Sequence, residues 1–351
     1  MSVARSTRSV AVAVAALAAL GTLTPAQAAT DRGLYGSQDP TYDGVYRQGL
    51  ALTGLAANDL RVPGRAVSWL TKQQCADGSF VSYRARVSAA CPAPDPAAYS
   101  GPDSNSTAMA AMALRAAGEN QAARAAVRYL RGIQNRDGGF PYYAGGTSDA
   151  NSTGLTLAAL NGARTTDALK KQQRSAARYL RSVQLRCSAA PAERGLMSYQ
   201  RSPLAANPFA SAQAALGLVT TLPMTPDSIT PRRLRCAEGR LTRPVSAAEA
   251  VLATLRRGLR DGLLPSAFGT DGDPSATAQA LIAAQAAGIR GKELRPALRA
   301  LKRAAGTYAV SGGVTDAGAT GTLLLTAAAT GGDPRSFGGT DLLSLLRASR
   351  R

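Results

Sequence analysis

Histidine is absent from all 351 residues. Its absence removes the commonest general base, every Ser-His-Asp or Cys-His arrangement and the commonest zinc ligand. Aromatic residues make up only 5% of the chain, with a single Trp, so platforms for stacking sugars or bases are few. None alternates with the arginines as a nucleic-acid groove requires, and no nucleic-acid partner is expected. Uninterrupted apolar runs of membrane length are missing as well. The run from Val10 to Leu20 is too short to cross a bilayer.

That run follows Arg5 and Arg8 and precedes Pro25 and the small-residue pattern Ala26-Gln27-Ala28. The arrangement predicts a secretory signal peptide over residues 1–28, cut before Ala29, and an exported, extracellular protein. Four cysteines, an even number in an exported chain, favour two disulfides. The closures nearest in sequence pair Cys75 with Cys91 and Cys187 with Cys236, among three possible connectivities.

Acidic residues number 22 against 41 Lys plus Arg, a formal net charge of +19. The basic residues fall in stripes at i, i+4, i+7: Arg124, Arg128, Arg131; Arg174, Arg178, Arg181; Arg295, Arg299, Lys302. Opposite them run apolar positions such as Ala126, Leu130 and Ile133, so these are amphipathic helices with a basic outer face. A solvated face explains such stripes, and contact with an acidic envelope polymer is the functional alternative.

Two elements alternate six times. One begins with Asp and places Thr four residues on: DSNSTAMAAMAL from Asp103, DANSTGLTLAAL from Asp149, DPSATAQALIAA from Asp273 and DAGATGTLLLTA from Asp316. A degenerate copy starts at Asn207, with Ser211 in the Thr place, and another surrounds Asp43. These segments are small and apolar on every side and belong inside. The other element is the Arg-striped helix, expected near 63–74, 122–134, 172–184, 247–260, 294–305 and, shortened, 341–350. Six buried helices ringed by six amphipathic ones satisfy both patterns. The fold expected is all-α, an α6/α6 toroid forming one domain over residues 29–351. An open solenoid fits the same period, but ends without polar caps favour closure. Each Asp suits a helix N-cap, which is sufficient reason for its presence.

The outer helices run into a second motif, Gln, three residues, Gly, one residue, aromatic: Gln74, Gly78, Phe80 and Gln134, Gly138, Phe140. A weaker copy at Asp261-Gly262 lacks the Gln. The spacing resembles the QW motif of the terpene cyclase and protein prenyltransferase superfamily, with Phe in place of Trp, and implies their α/α toroid with a Gln set against an aromatic ring. The stretches Asp103 to Ala110 and Asn207 to Leu216 are also similar to the α-domain of the secreted cobalamin carriers, transcobalamin and intrinsic factor, which hold a ligand without transforming it.

The resemblance to the superfamily implies three chemistries, which the residues support unequally. Prenyltransferases hold zinc through Asp, Cys and His, and this chain has no His. Class II cyclases protonate their substrate from a D-x-D-D run; Asp271-Gly272-Asp273-Pro274 lacks the last position, and no like-charge coupling to keep one Asp protonated is evident. Class I ionisation needs D-D-x-x-D, and no two aspartates are adjacent. A glycosidase pair could come only from the inner-helix aspartates. If the chain is catalytic, Asp103, Asp149, Asp273 or Asp316 supplies the acid, in a divergent cyclase- or transferase-like enzyme. The leading expectation is instead a non-catalytic, monomeric binder of a bulky amphipathic metabolite, a corrinoid or an isoprenoid. Its mouth would gather Tyr42, Tyr46, Tyr99, Tyr142, Tyr143 and Phe209 with Asp43, Asp103 and Asp149. No metal or other cofactor is expected beyond a corrinoid held as ligand. Tyrosines in turns can equally anchor loops onto a rim.

Overall fold

The computed structural model describes residues 31–351 apart from Phe268 and Thr270, so the expected signal peptide lies outside the described residues. Among the described residues twelve α-helices run in six hairpins: α1 (Gly44–Ala57) and α2 (Gly64–Lys72), α3 (Ser104–Ala116) and α4 (Asn120–Gly132), α5 (Ala150–Asn161) and α6 (Asp167–Ser182). There follow α7 (Pro208–Val219) and α8 (Ala247–Asp261), α9 (Pro274–Ala286) and α10 (Arg295–Ala309), α11 (Ala317–Thr330) and α12 (Leu342–Ala348). Odd-numbered helices are buried around nearly their whole circumference. Even-numbered ones bury one stripe, as Ala123, Ala126 and Leu130 do in α4, except α8, which is buried without a break from Ala250 to Leu255. Each odd helix packs on the next, and α11 packs on α1, so the inner layer closes into a ring with the even helices outside it.

Closure depends on small residues. α1 and α11 meet at Gly54 and Gly321, where a Cβ on Gly321 would lie 2.6 Å from the Leu50 carbonyl carbon. The joint is fastened by the first and last described segments: Gly33 N–H donates to the Arg351 carbonyl and Arg351 N–H to that of Leu34, each at 2.9 Å. Asp31, fully buried, pairs with the Arg351 guanidinium at 2.6 Å.

The two sequence motifs turn out to be halves of one joint. Gln134 donates through Nε2 to the Gly138 carbonyl at 2.8 Å and to Gln172 O, on the next outer helix, at 3.0 Å. Gln74 does the same with Gly78 and Ala122, at 3.0 and 2.9 Å. The following aromatic is then held from inside: Phe80 N–H donates to the Thr107 hydroxyl at 3.0 Å, and Phe140 N–H to that of Thr153 at 2.9 Å. Gly138 has φ +88°, and a Cβ there would stand 2.6 Å from Ser175 O, so the turn nests directly on α6.

Two further copies escaped the spacing rule. Gln184 donates to Gly195 O and Ala247 O at 2.9 and 3.0 Å, and Met197 N–H donates to the Ser211 hydroxyl at 2.8 Å. An inserted loop separates that Gln from its glycine. In α1 the register slips by one residue: Gln48 accepts from Tyr35 N–H through Oε1 and donates through Nε2 to Gly33 O and Ala66 O. Both disulfides pair as nearest in sequence, Cys75–Cys91 and Cys187–Cys236. The segment between α7 and α8 carries a short antiparallel hairpin, β3 (Arg235–Ala237) with β4 (Arg240–Arg243), after the two-residue ladder of β1 (Phe140–Pro141) with β2 (Ser148–Asp149).

The joint makes a direct prediction. Gln134→Ala removes both bonds and takes the side-chain donor from the Gly138 carbonyl, and should cost about 1–3 kcal/mol. Gly138→Ala, forced into a left-handed conformation against Ser175 O, should cost at least as much. Urea midpoints measure both, and unchanged midpoints would show that the joint adds nothing to stability.

Candidate functional site

Hairpin connectivity makes the inner helices parallel, so their N-termini share one rim. Asp103, Asp149, Asn207, Asp273 and Asp316 each cap the helix that follows, the side-chain Oδ1 accepting from the backbone N–H three residues on at 2.7 to 2.9 Å. Asp43 departs from the pattern and makes no cap bond. It pairs with Arg47 at 2.7 Å, because the one-residue slip of α1 puts Arg47 where other copies carry Thr. Arg47 is 2% exposed, and its guanidinium also donates to the carbonyls of Tyr35, Gln38 and Asp39.

The tyrosines separate into two groups. Tyr42, Tyr99, Tyr142 and Tyr143 line one cleft of about 480 Å³ above α3. Tyr142 and Tyr143 meet edge to face with centroids 4.7 Å apart, and Tyr143 OH donates to Tyr99 O at 2.7 Å. Tyr42 and Tyr99 are 84% and 82% exposed. Tyr99 sits at φ +51°, a conformation that a bulky side chain rarely adopts, and the Asp95 side chain supports the preceding turn through Ala97 N–H and Ala98 N–H. The opposite wall belongs to the Cys75–Cys91 loop, with Tyr83, Arg86 and Pro92. Arg84 holds that wall in shape by donating to five carbonyls, those of Lys72, Gln73, Gln74, Val87 and Ala89. Trp69, 2% exposed, stacks on Tyr83 at 6.5 Å and so lies directly behind the cleft.

Tyr46 is not part of this cleft. It turns into the bore, where its hydroxyl accepts from Gln213 of α7, across the ring from α1, at 3.5 Å. Phe209 packs on the hydrophobic core. Asp149, Asp273 and Asp316 stay with their own helices, away from the cleft. The expected mouth is therefore two places, an outer tyrosine cleft and a polar bore. The bore residues Gln213 and Gln279 carried no motif by which the sequence could have shown them; each has a buried Oε1 without a hydrogen bond.

Asp103 is fully buried beneath the Tyr142–Tyr143 turn: Ser104 N–H donates to Tyr142 O, and Asp103 pairs with Tyr143 in a β-bridge. Burial pushes its carboxyl up to about 6, against the opposing pull of the Ser106 N–H. Asp149 is likewise pushed up to about 6 by burial. Desolvation, rather than a carboxylate cluster, thus raises both carboxyls. Among the described residues no group of three or more Cys, Asp and Glu could hold a metal ion, and no helix is long and apolar enough to cross a membrane.

Both carboxyls make stability depend on pH. Their folded pKa lies above the unfolded value near 3.9, so between about pH 4 and 6 the folded chain holds protons that the unfolded chain releases. Their contribution is most favourable below about pH 4 and declines as pH rises through 6, by up to about 3 kcal/mol for each. Asp103→Asn or Asp149→Asn keeps an oxygen to cap the helix and removes the titration. Denaturant midpoints at pH 4.5 and 7 should therefore differ less in either variant than in the parent.

No protein-family model and no curated protein matches the sequence. Solved structures do. An ent-copalyl diphosphate synthase from Streptomyces platensis is similar over 82% of this chain, with a TM-score of 0.53 and 17% identity, and the chain spans 50% of that enzyme. A protein from Actinoplanes (TM-score 0.47, 19% identity, 86% of this chain and 79% of that one) and the type II terpene cyclase MstE from Scytonema (0.46, 16%, 79% and 76%) are more distant. The chain has the α/α-toroid fold found in the terpene cyclases.

Proposed function

We propose that this is an exported protein that binds a bulky amphipathic metabolite, an isoprenoid or a corrinoid, in the tyrosine cleft without converting it. The observation that carries the reading is the pair of exposed aromatics, Tyr42 and Tyr99, facing one cleft with Tyr142 and Tyr143. Exposed rings with polar tips, set on a disulfide-fastened wall, suit a ligand that is apolar in body and polar in outline. The shared fold with an ent-copalyl diphosphate synthase is the reason to include isoprenoids. Two disulfides suit an oxidising compartment outside the cell.

A second reading, a divergent cyclase-like enzyme with Asp103 as acid, has one observation in its favour: a fully buried carboxyl raised to about 6 by desolvation. Against it, a general acid must touch its substrate, and Asp103 has no exposed surface.

Trp69, stacked on the cleft-lining Tyr83, supplies the assay. Titration with a polyprenol or a corrinoid should change its fluorescence saturably, and Tyr42→Ala with Tyr99→Ala should weaken binding at least tenfold without moving the melting temperature. Failure of both ligand classes to bind, or binding indifferent to the double substitution, would overturn the proposal. Turnover of an isoprenoid that Asp103→Asn abolishes would favour the second reading.

A further inference from the structure

The inner helices carry their C-termini at the opposite rim, about 18 Å away along α3. There the ends of the α3–α4 and α5–α6 hairpins leave a groove of about 460 Å³. Its apolar surface comes from Ala111, Ala123, Val127, Ala159, Ala163 and Leu169. Five arginines surround it: Arg115 from α3, Arg124, Arg128 and Arg131 from α4, and Arg164 from the α5–α6 loop. No Asp or Glu lines the groove, and among the described residues none of the five arginines belongs to an ion pair.

Two of the arginines have internal work. Arg115 donates to the Thr221 hydroxyl and the Leu222 carbonyl at 2.8 and 2.7 Å, and Arg131 donates to Gln172 Oε1 at 2.7 Å. Gly162 leaves the space that the Arg115 guanidinium fills, since a Cβ there would lie 1.1 Å from Nη1. Burial alone lowers the pKa of Arg115, with no carboxylate offsetting it. Arg124, Arg128 and Arg164 are exposed and make no side-chain hydrogen bond that accounts for their place. The stripe on α4 is therefore the wall of a concave site, whereas a merely solvated face needs no apolar floor between its charges.

We infer that this groove binds a single-chain amphiphilic anion, its phosphate or carboxylate head held by the Arg124, Arg128 and Arg164 guanidinium groups and its apolar chain laid on the Ala/Val/Leu floor. The volume falls within the range of small-molecule sites. Guanidinium forks match the oxygens of either head, and a groove of about 460 Å³ has room for one alkyl chain rather than two. The site is independent of the tyrosine cleft and survives if that reading fails.

Calorimetric titration below micelle-forming concentrations tests it, using dodecyl phosphate, dodecanoate, octyl phosphate, neutral dodecanol and inorganic phosphate. Dodecyl phosphate, dodecanoate or both should bind with one-to-one stoichiometry, and their relative affinity identifies the head. Dodecanol and inorganic phosphate should each bind at least tenfold more weakly. Each methylene laid on the floor should tighten binding about fourfold, so octyl phosphate falls well behind dodecyl phosphate. Arg124→Glu with Arg128→Glu should weaken binding at least tenfold with an unchanged melting temperature. Arg299→Glu, on another outer stripe, and the Tyr42→Ala/Tyr99→Ala protein should bind as the parent does. Equal affinity for dodecanol, indifference to the double charge reversal, or binding confined to anionic vesicles would overturn the inference.

Discussion

Everything in this molecule hangs on a side-chain amide that bridges two carbonyls. Gln74, Gln134, Gln184 and Gln48 each tie a glycine turn to the first turns of the neighbouring outer helix. A carbonyl oxygen has two lone pairs, so one already engaged within its helix can accept again, and a side-chain nitrogen with two hydrogens can join it to the carbonyl of a turn. The turns tied by Gln74, Gln134 and Gln184 also deliver a backbone N–H inward to the Thr or Ser of the next inner helix, and Leu264 N–H does so for Thr277 from a turn without the Gln. Outer layer, turn and inner layer are thereby locked in one register, repeat after repeat. A ring of alanine-rich helices has little side-chain shape to fix its own register, and these polar joints supply what the apolar contacts leave unspecified.

The joint also determines the character of the two rims. At the N-terminal rim the helix caps are carboxylates, buried as the turns fold over them, and desolvation raises Asp103 and Asp149 toward neutrality. Aromatic residues of those turns, having no core to enter, stand over the caps and build the tyrosine cleft. At the C-terminal rim only α3 ends in an arginine, Arg115, whose guanidinium reaches the Thr221 hydroxyl and Leu222 O, while Arg124 and Arg128 come from α4 and Arg164 from the α5–α6 loop. One rim thus carries the tyrosine cleft and the other the arginine-lined groove. A fold used for many chemistries acquires its particular function from such surfaces.

The inner and outer helices were legible in the sequence because burial on all sides and burial on one stripe leave different periodicities in Ala, Leu and Arg. The Asp caps were legible because an N-cap is a local interaction, settled within four residues. The joint was legible where its spacing was unbroken, at Gln74 and Gln134. It was not legible at Gln184, whose glycine lies beyond an inserted disulfide loop, nor in α1, where Gln48 takes the work of two residues. A spacing rule cannot survive an insertion, whereas a hydrogen bond can.

By itself the sequence determined the alternation of layers, the capped helix starts and the exclusion of imidazole chemistry, because each of these rests on residue type and local spacing. Only the tertiary structure decided which tyrosines share a cleft, that Tyr46 turns into the bore, and that Arg115, Arg124 and Arg164 surround a common groove. Those pairings join residues of different hairpins, and their distances follow from ring closure, which no local pattern encodes.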